Sequence, residues 1–187
     1  PEQIARFAAI KKKTILKDLQ RKLILMSISI LGMSTNENPQ KVLLRIISKF
    51  PISPIYEQQV FEAAQTIVNN LNQKNLNKDK FFNIDHRLKI ESLIINLIIY
   101  NMLARRKNHQ ELTKFLPYIR SFYFAEGLSL IIDGLDYDFI KYRLNLQKKE
   151  ILEHTETKMD LSADLCVGIK LNLAYAELRT IARSYLL

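Results

Sequence analysis

Residues 93–103 read Leu-Ile-Ile-Asn-Leu-Ile-Ile-Tyr-Asn-Met-Leu, apolar on nearly every side of a helical wheel. A helix with that pattern is stable in water only when other elements cover it all round. It is too short to cross a bilayer, which takes about 20 apolar residues, and Asn96 and Asn101 interrupt it. The other short apolar run, 23–33, falls short for the same reason. The chain is therefore expected to build a bundle around a central helix over about 86–107, with Asp85 as its cap.

The remaining segments supply covering helices. Residues 2–31 form one long amphipathic pattern, with Ile4, Ala8, Ile15, Leu19, Leu23, Met26 and Ile30 on one face. Arg6, Lys13, Lys17 and Arg21 fall on the opposite face. Lys12 interrupts the apolar stripe, so it must snorkel or point at a partner. Gly32 suits a C-cap. Asn38-Pro39 is a helix start signal for 39–50, and Pro51 a stop. Ser53-Pro54 repeats the start for a helix to about residue 71, with Ile55, Val60, Phe61, Ala64, Ile67, Val68 and Leu71 periodic. Residues 69–80 are rich in Asn and Lys without periodicity and read as a long loop or weak boundary. A short helix over 112–116 is expected, then one opened by Pro117 and closed by Asp133-Gly134. Asp136 or Asp138 starts a helix to about residue 154, whose outer face carries Lys141, Arg143, Lys148, Lys149, Glu150 and Glu153. Ser162 and Asp164 mark the start of a last helix to about residue 184. No strand pair is found. The fold class is all-α: residues 1–187 form a single helical domain, a compact bundle of six to eight helices, consistent with a piece of a longer chain because it begins at Pro1.

Composition narrows the function classes. Of 187 residues 48% are hydrophobic and 25% charged, globular values that exclude a wholly disordered chain. Only four glycines are present, and no phosphate-binding glycine loop or nucleophile elbow occurs. The single cysteine, Cys166, rules out an internal disulfide and a cysteine-based zinc site. It fits a reducing, cytoplasmic setting and is expected as a small buried apolar residue. His86, His109 and His154 are too scattered to make a metal site. Asp133, Asp136 and Asp138 read as a helix–loop–helix turn with an acidic cap rather than a cation loop. No catalytic constellation, metal site or cofactor motif results.

The net charge of +9 is the strongest electrostatic feature. Part of it reflects an Ile-, Asn- and Lys-rich composition of the kind AT-rich genomes produce. Two clusters stand out as partner- or anion-binding candidates. The first helix carries Lys11, Lys12, Lys13, Lys17, Arg21 and Lys22, with Lys13, Lys17 and Arg21 on the face away from the apolar stripe. Arg105, Arg106 and Lys107 close the central helix, where positive charge also complements the helix dipole.

One segment resembles a known family. Leu103-Ala104-Arg105-Arg106, then Gly127-Leu128-Ser129-Leu130-Ile131-Ile132-Asp133-Gly134, then Asp136, Phe139-Ile140, Leu144 and His154 are similar to the cytoplasmic region of flagellar stator subunits of the MotA type. The similarity covers about residues 103–154. In that family an Arg and a Glu of this region face the rotor; Arg105 matches the Arg, whereas the Glu position falls on Thr113, with Glu111 nearby. The family's four membrane-spanning helices have no counterpart here, so channel function does not carry over. The resemblance implies a cytoplasmic interaction module of a bacterial membrane-associated machine.

These features predict a non-enzymatic protein–protein interaction or assembly domain, a basic helical scaffold whose partner is another protein. A basic nucleic-acid-binding module is the alternative, and membrane-surface contact a further use of the same charge.

Overall fold

In a computed structural model, the structure describes residues 2–50, 54–71 and 76–185, with the side chains of 54 and 55 excepted. The Pro51 stop, the Ser53 start signal, the place of Ile55 in its stripe and the middle of the 69–80 segment lie outside the described residues. Among the described residues the regular structure is entirely helical. The helices are α1 (Glu2–Ser34), α2 (Pro39–Ile47), α3 (Pro54–Asn69), α4 (Lys78–Phe82) and α5 (Ile90–Arg106), then a 3-10 helix (His109–Tyr118), α6 (Phe122–Ile132), α7 (Tyr137–Lys170) and α8 (Tyr175–Ser184). The all-α expectation is met, with eight α-helices and one 3-10 helix among the described residues against the six to eight helices expected. The chain divides into two compact units, one of Lys22–Leu146 and one of Pro1–Arg21 with Gln147–Leu187.

In the unit of Lys22–Leu146, α5 is the central element, packed by α2, α3, α4 and the 3-10 helix. Leu93, Ile94, Leu97, Ile98, Ile99 and Tyr100 are fully buried on it. The two asparagines that break its apolar surface are tethers. Asn96 Nδ2 donates to the carbonyls of Lys80 and Asn83 at 3.1 and 2.8 Å, fixing α4 and the turn after it. Asn101 Nδ2 donates to Ser29 Oγ at 2.7 Å and to Leu97 O at 2.9 Å, tying α5 to α1. Buried amides need such partners, because an unpaired one costs about 1–3 kcal/mol. Phe82, Tyr100, Phe115 and Phe124 form an aromatic cluster with neighbouring ring centroids 4.5–6.2 Å apart. The Tyr100 hydroxyl donates to Phe82 O at 2.8 Å, and burial holds its phenol well above the ordinary tyrosine range.

Several boundaries differ from expectation, each for a local reason. Helix α1 runs past Gly32 to Ser34, and the left-handed residue after it is Asn36 at φ 51°. Gly32 is instead a contact residue: a Cβ there would meet Val42 Cγ2 at 2.5 Å, so its missing side chain lets α2 approach. Helix α5 begins at Ile90 rather than near residue 86; Asp85 Oδ1 accepts from Arg87 N at 2.9 Å in a turn before it. Pro117 lies inside the 3-10 helix, and Ser121 caps α6 through Phe124 N. Gly134, at φ +76°, follows the end of α6 as expected.

In the other unit, the first half of α1 lies antiparallel to the second half of α7. Ala5, Ala8 and Ala9 lie with Met159, Ala163 and Val167 around one small cavity. Further along, Leu16 and Gln20 line a larger one with Lys149 and Leu152. The breaks read at His154 and Ser162 do not exist, because α7 continues to Lys170. Ser162 Oγ bonds back to Lys158 O at 2.8 Å, the mid-helix use of a residue that could also cap. Asn172 at φ 54° then allows α8 to return onto α7, where Leu178 and Leu173 close over Gly168. Cys166 is exposed rather than buried, on a face of α7 that α8 leaves open.

Candidate functional site

Lys12 shows how the sequence pattern resolves. It interrupts the apolar face of α1, and its partner is in its own chain. Nζ lies 2.8 Å from Asp160 Oδ1 and 3.2 Å from Glu156 Oε1, with the lysine side chain 27% exposed. The hydrogen bonds to Asp160 and then Glu156 hold its ammonium above the usual lysine range. Lys22 is likewise consumed internally. It is buried, and Nζ donates to His86 O at 2.8 Å, so it does not extend a cationic surface.

Lys13 and Lys17 behave differently. Both are exposed, and both edge an open cavity of about 790 Å³ between α1 and α7. Leu16 and Leu152 supply its apolar surface, and Lys149, Glu153 and Glu156 its opposite edge. Lys149 lies 3.7 Å from Glu153 one turn on, and Glu156 is engaged by Lys12. Lys13 and Lys17 have no ion-pair partner among the described residues. The cleft therefore combines an apolar strip with unneutralised ammonium groups on the α1 side. Arg21 is half-buried at the end of this stretch.

The second predicted cluster is in the other unit and is mostly engaged locally. Arg106 Nη1 donates to Asn69 Oδ1 at 2.8 Å, securing the end of α3. Lys107 Nζ is 3.1 Å from Glu111 Oε2, an i,i+4 pair across the start of the 3-10 helix. Arg105 is exposed beside a cavity of about 350 Å³ lined by Pro39, Phe61, Gln65 and Met102. Thr113 is exposed, whereas Glu111 is held by Lys107 and approached by Lys114 at 3.9 Å. Among the stator-like residues, then, Arg105 is presented outward and the nearest acid is already paired. The Asp-Gly segment is structural: Asp133 ends α6, and Asp136 Oδ1 accepts from Phe139 N at 2.9 Å to cap α7.

Sequence reasoning missed Leu16, Leu152 and Lys149 as parts of a cleft. Each belongs to an ordinary helical pattern, and only the antiparallel register of α1 and α7 brings them together. Among the described residues no three of His, Cys, Asp and Glu converge as a metal site. No helix among the described residues is long and apolar enough to cross a membrane. Comparison with protein-family models, with curated proteins and with solved structures returned no match.

Proposed function

We propose that this chain is a non-enzymatic helical interaction or assembly domain, acting as a cytoplasmic component of a bacterial membrane-associated machine of the kind the stator resemblance implies. The observation that carries the reading is the α1–α7 cleft, with Leu16 and Leu152 between the free ammonium groups of Lys13 and Lys17 and the mixed edge of α7. An amphipathic helix recognises such a surface by laying apolar side chains at i, i+3 or i+4 spacing on the strip. Acidic residues flanking that stripe would meet Lys13 and Lys17, which steers encounter and fixes register more than it adds affinity.

Exposed Lys13, Lys17 and Arg105 also favour a nucleic-acid-binding alternative. The cleft argues against it, because Glu153 and Glu156 would face a phosphate backbone and an apolar strip offers it nothing. The test uses the full chain as bait in extract of the native cell, with partners quantified by mass spectrometry against Lys13→Glu/Lys17→Glu. Protein partners recovered by the wild type and lost by the variant are expected; unchanged recovery overturns the assignment of this face. Tight binding to mixed-sequence DNA or RNA that falls steeply between about 50 and 200 mM salt would carry the alternative instead.

A further inference from the structure

The first turns of α1 are packed on one side only. Ala5, Ala8, Ala9, Lys12 and Leu16 line the cavities shared with α7. At 100° per residue, Phe7 and Ile10 project within about 40° of the direction opposite to that packed side. They are 63% and 58% exposed.

Positive charge stands on both flanks of this apolar pair. Arg6, Lys13 and Lys17 follow on one flank and Lys11 on the other, all four exposed. None of them has an ion-pair partner among the described residues. Lys11 Nζ lies 5.5 Å from the centroid of the Phe7 ring, so charge and apolar surface are in contact. The arc from Lys13 round to Lys11 contains one acid, Asp18, which is half-buried and already engaged within the chain. Glu2 falls outside that arc.

A partner for this face must be anionic and must also accept apolar side chains from a convex helix. A nucleic-acid backbone meets only the first condition, and a folded protein would need a groove shaped to the helix. A bilayer with anionic headgroups meets both. A helix lying in the interface plane dips its apolar side chains about 5–10 Å below the headgroups, while long basic side chains on its flanks reach up to the phosphates. Clusters of about four to eight cations on an amphipathic helix bind anionic lipid in this way.

We propose that the outer face of α1, centred on Phe7 and Ile10, docks on the surface of an anionic lipid bilayer without spanning it. The contact rests on two apolar side chains and four cations, so it is reversible and weakened by salt. It is independent of the cleft reading, because Arg6, Phe7, Ile10 and Lys11 line no part of that cleft.

The test is co-sedimentation of the full chain with sucrose-loaded vesicles of phosphatidylcholine, alone or with about 30% phosphatidylglycerol, at about 50 and 200 mM salt. The wild type should bind the anionic vesicles, more weakly at the higher salt, and leave the neutral ones unbound. Each cation near such a surface contributes about fivefold, so Arg6→Gln/Lys11→Gln should bind about 25-fold more weakly. Phe7→Gln/Ile10→Gln should lose at least about tenfold through the missing apolar area. Insertion is read separately. The chain has no tryptophan, so Phe7→Trp supplies a single fluorophore at the centre of the face. Its emission should shift to the blue on anionic vesicles and be quenched by brominated acyl chains. A wild type that leaves anionic vesicles unbound overturns the proposal. So does binding that Phe7→Gln/Ile10→Gln leaves intact, or a Phe7→Trp chain that binds without quenching. Capture of mixed-sequence DNA in place of the vesicles overturns it in favour of a nucleic-acid surface.

Discussion

Replacing Gly32 by alanine sets two effects of opposite sign against each other. Gly32 is in the interior of α1, where alanine is the better helix former by about 1 kcal/mol. The added Cβ would meet Val42 Cγ2 at 2.5 Å and Asn101 Oδ1 at 3.1 Å. Neither neighbour yields easily. Val42 is fully buried with a stiff, β-branched side chain, and Asn101 is fixed by its bonds to Ser29 and Leu97. Forcing a methyl into a packed core costs about 1–3 kcal/mol. The clash should therefore win, leaving Gly32→Ala destabilised by about 1 kcal/mol in urea-induced unfolding followed by circular dichroism. A double-mutant cycle isolates the cause. Val42→Ala alone should cost about 2 kcal/mol through the cavity it leaves. In its presence Gly32→Ala should become neutral or stabilising, a coupling of about 1–2 kcal/mol between residues in contact. A stabilising single variant, or a cycle additive to within about 0.5 kcal/mol, would refute the assignment of Gly32 as a close-approach residue and restore the capping role its sequence position suggests.

Two further outcomes follow from the interior and from a turn. Burial pushes the Tyr123 phenol up to about 12. The unfolded phenol titrates near 10, so between about pH 10 and 12 the unfolded chain releases a proton that the folded chain keeps, and stability falls as pH rises, by up to about 2–3 kcal/mol. Urea midpoints across that window should fall for the wild type and fall less for Tyr123→Phe; equal slopes would refute the linkage. At Gly134 the backbone is left-handed with open space around the position, so Gly134→Ala should cost about 1 kcal/mol in the same urea assay through backbone strain alone. Gly134→Asn should cost less, and equal losses would count against the backbone explanation.

The all-α architecture and its centre were legible because they rest on long-range periodicity. A stretch as apolar as 93–103 has one stable location, and α5 occupies it. Helix ends were less legible, because the same residue types serve two roles. Gly32 and Ser162 carry the composition of caps, yet Gly32 admits Val42 and Ser162 bonds to the preceding turn within an unbroken helix. Lys12 was legible as a residue needing a partner, but not which one, since Asp160 is 148 positions away. The exposed apolar residues of α7 were hidden by their own neighbours. Phe139, Ile140, Tyr142, Leu144 and Leu146 are apolar on two faces of the helix, and only packing decides that Ile140 and Leu144 go inward.

The same distinction applies to charge. A formal net charge of +9 suggests a polyanion partner only if the cations are free to face one. Lys12, Arg45, Lys107, Lys149 and Arg143 each lie within 4 Å of a carboxylate in the chain, and Lys22 is buried on a carbonyl. These cations are engaged within the chain and release few counterions to a ligand. Lys13 and Lys17 remain available on α1, beside Leu16 and opposite two glutamates. A polyphosphate selects for density of positive charge, and a few ammonium groups next to an apolar strip are a poor version of that. For an amphipathic helix the same arrangement is well matched, because its apolar side chains gain from burial while its acids read the position of the lysines. The local distribution of charge, more than its total, therefore favours a protein partner for this chain.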